Sequence, residues 1–245
     1  MRFLLLIPSI LFCHYLYLYL KNYLYDHQLL FFVYTFGYEL TYWSCSFFFE
    51  YLDRNYPNHE KKLKSKSTSK YTFEECALQS AKNHFVQFFV WNFLFYYFTP
   101  LDYKYNDSLL ATFIWFFIIY TVFDFTFYVG HFGMHNIPSW KSIHDLHHET
   151  YATCGVSCHM MTFPDFIFES LGCGASVIIL LFPFGCSPMA IYAFLSHGIM
   201  NGVVSHSGWD IWFLNDPRTH FLHHLKYKVN FSGGIFDHVF QTAEY

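Results

Sequence analysis

Residues 109–148 read LLATFIWFFIIYTVFDFTFYVGHFGMHNIPSWKSIHDLHH. From Leu109 to Val129 there are 21 residues with one acid, Asp124, enough apolar sequence for a membrane helix. The run leaves the apolar region as Asp124-x3-Tyr128-x2-His131-x3-His135, and these offsets put four side chains on one helical stripe. Nine residues further on comes His144-x2-His147-His148, and much later His220-x2-His223-His224, each with imidazoles at i, i+3 and i+4. Two neutral imidazoles at such spacing can bind one metal ion, and eight on three segments can surround a pair. The fold expected from this stretch is all-α, a helical membrane bundle carrying a histidine-rich metal cap at the cytosolic ends of its spans.

The rest of the chain agrees with a membrane protein. Of 245 residues 54% are apolar and 13% charged, which excludes a disordered chain and a nucleic-acid binder and leaves too little polar surface for a soluble globule. Phe3 to Leu20, Leu29 to Phe49 and Phe85 to Leu101 are further apolar runs, the first read as a retained anchor because no small-residue cleavage site follows it. Ser170 to Trp209 has no Asp, Glu, Lys or Arg but is broken by Pro183, Gly185 and Pro188, so two short helices in a hairpin are expected. Seven of the 14 basic residues (Arg54, Lys61, Lys62, Lys64, Lys66, Lys70 and Lys82) lie between the second and third runs, which assigns that loop to the cytosol. Counting crossings from there puts Arg2, Lys141, Arg218, Lys226 and Lys228 on the same side and only Lys21 and Lys104 opposite. Residues 1–108 read as N-terminal spans with a basic loop, and 109–245 as the metal-binding domain. The seven cysteines are scattered without C-x-x-C pairs and read as buried free thiols.

Twelve of the 16 histidines fall between His131 and His238. Compositional bias would scatter them, whereas three same-face clusters at span ends are a metal-binding pattern. His14, His27, His59 and His84 read as structural. A ligating imidazole gives its second N–H to a carboxylate or carbonyl, and Asp124, Asp145, Glu149 and Asp237 are the acids available. Asp124, one turn inside the membrane, is expected to pair with Tyr128 or His131 on its stripe. A metal transporter would also be rich in histidine, but it should line a path with ionisable residues in mid-span.

The order H-x3-H, H-x2-H-H and, after a membrane hairpin, H-x2-H-H resembles the fatty acid hydroxylase superfamily, membrane di-iron oxygenases that include sterol desaturases, methylsterol oxidases and cholesterol 25-hydroxylase. The likeness runs from about Asp124 to Thr242. It includes Asp124 and Tyr128 before the first box, Lys141 before the second, the stretch from Val204 to Asp210, then Asn230-Phe231 and Phe236-Asp237. Phe236 stands where the superfamily carries Trp, His238 where it carries Arg or Lys, and Gln241 where it carries Gly.

That resemblance implies two iron ions, dioxygen as co-substrate and electrons from an external reductase or b-type cytochrome docking on the cytosolic face, since no flavin or dinucleotide fingerprint occurs in the chain. It implies a lipid substrate taken from the bilayer, the His206-Ser207-Gly208 element favouring a sterol or sterol-like lipid over a fatty acyl or sphingoid one, and an endoplasmic reticulum location. Two six-coordinate ions call for about ten ligands, so two of His159, His197, His206 and His238 should join the eight box residues. His206, in that element, and His159, at a position where sterol desaturase-like sequences carry histidine, are the expected pair. The expected ligands are therefore His131, His135, His144, His147, His148, His159, His206, His220, His223 and His224, with Asp124 as their supporting acid.

Overall fold

A computed structural model of the chain describes residues 6–21, 23, 26–63, 69–98, 106, 108–151, 153–172, 174, 179–212 and 214–245. Among these every regular element is helical: α1 (Leu6–Leu20), α2 (Asp26–Asn55), α3 (Phe73–Phe98), α4 (Leu109–Asn136), α5 (Pro138–His148), α6 (Phe163–Phe166), α7 (Pro188–Ser207), α8 (Pro217–Lys226) and α9 (Ile235–Val239). A 3-10 turn, Gly155–His159, precedes α6, and a π-turn, Ile167–Gly172, follows it. Phe3, Lys64, Lys66, Leu101, Lys104 and Arg2 lie outside the described residues, so the outer ends of two expected spans and part of the basic loop do too. Among the described helices one, α4, is long and apolar enough to cross a membrane by length and composition.

Capping explains where α4, α5 and α8 begin and end. Ser108 opens α4 by accepting the Ala111 amide proton at 3.2 Å. Pro138 cannot continue the ladder, so α4 stops at Asn136 and α5 starts with that proline in its first turn. Gly133 lets α5 fold back closely, because a Cβ there would come within 2.8 Å of the Trp140 ring. Asp216 caps α8 at the Arg218 amide, 3.0 Å, ahead of Pro217. The helix closes on Tyr227 at φ +65°, a left-handed cap made without glycine.

The central element is α7. The expected break at Pro188 is its first turn, and from there it runs 20 residues to Gly208 at φ +70°, so the second half of the apolar stretch is a full-length helix rather than a short one. One apolar cluster packs Ile10 of α1, Phe116 and Ile119 of α4 and Met189, Ile191 and Phe194 of α7. A second packs Tyr42 and Phe49 of α2, Cys76 of α3, Val156 and Cys158 of the 3-10 turn and Ile199, Val203 and Val204 of α7. The outward faces of α2, α3 and α4 expose large apolar side chains, among them Phe36, Phe47, Phe85, Phe89, Ile114 and Phe117.

The loop after α2 is pinned to the end of α7. Leu63 donates its amide proton to the Gly208 carbonyl at 2.8 Å, and Asp210 donates to Lys61 at 2.8 Å. Lys62 donates to the Thr153 and Ser207 carbonyls at 3.0 and 2.7 Å, pairs with Asp53 and lies over the Trp209 ring.

Candidate metal centre

Nine imidazoles meet at the ends of α4, α5, α7 and α8, in two groups. His131, His135, His144, His148 and His223 form the first, and His147, His206, His220 and His224 the second. In both groups Nε2 is the atom that faces inward. Within the first, His131 lies 3.0 Å from His144 and 3.2 Å from His135, His148 3.1 Å from His144, and His223 3.1 Å from His135. Within the second, His206 lies 3.1 Å from His147 and 2.9 Å from His220, and His224 3.0 Å from His220.

The two H-x2-H-H boxes divide their residues between the groups by helical phase. At 100° per residue, i and i+4 stand about 40° apart while i+3 and i+4 are about 100° apart. His144 and His148 of α5 therefore join the first group and His147 the second, whereas His220 and His224 of α8 join the second group and His223 the first. Each short helix thus serves both groups.

The outer nitrogens fix the tautomers. The Nδ1–H of His131 donates to the Phe231 carbonyl at 2.5 Å, that of His223 to Val229 at 2.7 Å and that of His206 to Gly202 at 2.8 Å. His144 Nδ1 donates to both oxygens of Asp165, at 3.1 and 3.2 Å. With their single protons committed outward, His131 and His144 turn bare Nε2 lone pairs on each other, a repulsive contact unless a cation stands between them. A metal–nitrogen bond of about 2.1 Å places cis ligands about 3 Å apart, which is the spacing seen. Burial, reinforced by the neighbouring imidazoles, holds His144, His147, His148, His220 and His224 well below the ordinary histidine pKa. Burial also holds His223 at about 4. All six stay neutral at pH 7, the form that binds metal, and the residues present fit a pair of ions.

Supporting contacts differ from those expected. Asp124 is buried but faces no imidazole; its Oδ2 accepts the Ile235 and Phe236 amide protons at 2.7 and 3.2 Å and so caps α9. Gly234 gives it room, since a Cβ there would collide with the carboxylate. Tyr128 packs on Phe240, its hydroxyl accepting from Thr242 at 3.4 Å. Asp145 is exposed, and Glu149 pairs with Lys70 at 2.6 Å and accepts from Tyr71 at 2.7 Å. Asp237 acts at one remove: it accepts the amide protons of Phe231, Ser232 and Gly233 and thereby holds the carbonyl that anchors His131.

Three candidate histidines stand apart from both groups. His159 Nδ1 sits 2.7 Å from His84 Nε2, whose Nδ1 meets Glu39 at 2.8 Å, and its ring stacks on Tyr42. His197 Nε2 meets the Asn201 side chain at 2.9 Å, and His238 meets the Tyr245 hydroxyl at 2.8 Å. Asp165 and Glu169 were not anticipated. They are the first acids after Glu149 and lie four residues apart, but on an irregular α6–π-turn segment whose phase no helical period gives.

Fold and site together define a helical protein with a buried, nine-imidazole centre able to hold metal. The fatty acid hydroxylase family model matches residues 115–242, more than half of the chain, and the chain belongs to that family. It is similar to fatty acid hydroxylase domain-containing protein 2 of Homo sapiens, 29% identical over 138 residues, and to the protein of that name in Macaca fascicularis, 28% over 139 residues. In both cases the match covers 54% of this chain and 40% of the relative, so less than half of each relative's length is represented. No solved structure matches.

Proposed function

We propose that this chain is a membrane-bound lipid oxygenase that holds two iron ions in its two histidine groups and hydroxylates or desaturates a sterol or sterol-like lipid. The observation that carries the reading is the convergence of nine Nε2 atoms, four of them on imidazoles whose Nδ1–H is held outward by a carbonyl or carboxylate. Iron bound there would supply the dioxygen activation needed to cleave an unactivated C–H bond. Hydroxylation consumes O2, two electrons and two protons, leaving one oxygen atom in the product and one in water. The chain's part is to hold four of the imidazoles, those of His131, His223, His206 and His144, in one tautomer through Phe231, Val229, Gly202 and Asp165, and to keep water away by burying all but the edges of His135 and His220. Exposed apolar side chains on α4 support a bilayer lying beside the centre, from which a lipid would reach it without crossing water. Electrons come from a separate reductase or b-type cytochrome on the cytosolic face, in the endoplasmic reticulum membrane.

The test is expression of the full chain in a host that supplies a reductase, with elemental analysis of membranes isolated without chelators and mass spectrometry of their lipids. About two iron ions per chain and a lipid that gains one oxygen or loses two hydrogens are expected; in His148→Ala the lipid product should be lost and the iron should fall towards one ion per chain. Less than about half an ion per chain overturns the di-metal reading. Metal accumulating inside sealed vesicles with no lipid change would make the chain a transporter.

A further inference from the structure

Glu169 lies on the π-turn after α6, 5% exposed, and its position is not explained by any partner outside the centre. Its Oε1 is 3.5 Å from His131 Nε2, the inward nitrogen of that imidazole. Its Oε2 is buried without a hydrogen-bond partner. His144, Asp165 and Glu169 offer donor atoms that all lie within 4.8 Å of one another. Asp165 is occupied on the outer side of His144, whereas Glu169 approaches the inner nitrogen of His131.

An orphaned carboxylate oxygen in a closed interior is costly, and so is a pair of cations among ligands that carry no charge. Each cost is offset by placing the two together. The 3.5 Å separation is within a small side-chain rotation of the roughly 3 Å edge between neighbouring ligands of one ion. We propose that Glu169 is an inner ligand of the first group, a carboxylate in an otherwise all-imidazole centre. This rests on the reading that the two groups hold metal. The first group gathers five imidazoles, and one oxygen of Glu169 turned towards them would bring its donors to six, the number an octahedral ion takes. Four imidazoles leave the second group with open positions, so the two ions are unequal and the second is the one that offers room to an exogenous ligand.

The test uses the full chain purified in detergent, stripped of metal, reloaded with cobalt(II), and carrying glutamate labelled with carbon-13 at the side-chain carboxylate. Infrared difference spectra between stripped and loaded protein should show one glutamate carboxylate changing on loading. Glu169→Gln should abolish that change and weaken cobalt binding in one of two steps by at least about tenfold, while the other step is retained. Should Glu169→Gln fail to fold, Glu169→Asp keeps the charge and must still remove the labelled glutamate signal. Wild-type protein that binds cobalt with no change in any labelled glutamate overturns this inference alone, as does a change that survives in both variants. Wild-type protein that binds no cobalt overturns the metal reading and this inference with it.

Discussion

Replacing Asp165 by Asn tests how the first histidine group is tuned. Asp165 is fully buried and holds the His144 Nδ1–H with both oxygens, at 3.1 and 3.2 Å. Asn keeps the shape but cannot become a carboxylate when a cation is bound, and it presents either an oxygen or an NH2 to the ring. In the second orientation His144 must move its proton to Nε2, which aims it at His131 and removes one lone pair from the group. Losing a supporting carboxylate of this kind lowers metal affinity about 10- to 100-fold, equivalent to roughly 1.4 to 2.8 kcal/mol. The effect should fall on the group containing His144, while the group of His147, His206, His220 and His224 keeps its affinity. Chelator competition with zinc on the purified chain resolves the two steps. Asp124→Asn is the control: it perturbs the α9 cap, so it should change thermal stability slightly and leave both affinities as they were. Equal loss in the two variants, or none in Asp165→Asn, would refute the assignment of the two acids.

His206→Ala should deplete the second group, with metal content falling towards one ion per chain, whereas His159→Ala should keep both ions and lower stability by about 1 to 3 kcal/mol by stranding His84 in the interior. Elemental analysis and denaturant melts separate the two outcomes. Gln241 sits at φ +58°, where an L side chain is strained, so Gln241→Gly should raise stability by up to about 1 kcal/mol, read as a shift in unfolding midpoint. For the metal-free protein, the unfolded chain binds protons on His223 near pH 6.5 while the fold resists until about 4. That contribution to stability is complete above about pH 6.5 and lost as the pH falls through 4, which stability measured against pH would reveal; a flat profile over that window would contradict it.

Much of the centre was legible because its determinants are local. Boxes at i, i+3 and i+4 identify a metal face whatever the surrounding fold, and eight of the nine imidazoles came from spacing alone, His206 needing the resemblance as well. The division of each box between two groups was missed: its three imidazoles read as one face, whereas i+3 and i+4 stand about 100° apart and each faces its own group. What could not be read is tertiary. His159 is drawn to His84 and Glu39 because α2 and α3 bring those two residues together across 45 positions of sequence. Asp124 turns to α9 because the chain returns 111 residues later to offer free amide protons. Helix α7 differed from expectation because Pro188 falls in a first turn, where proline starts a helix as readily as it breaks one elsewhere.

The pinning of Lys61 to Leu63 against Gly208 to Asp210 bears on how this chain is oriented in a cell. A backbone bridge two to four residues from His206 ties this end of the basic loop to the histidine centre physically, so both must occupy one compartment. Orientation is then a single binary question that one reporter can answer from either segment. Lys62, engaged with Asp53, Thr153, Ser207 and Trp209, acts as a rivet there. Replacing it to test the proposed sidedness would disturb the fold as well, and the more exposed Lys61 or Lys70 is the sounder place to intervene.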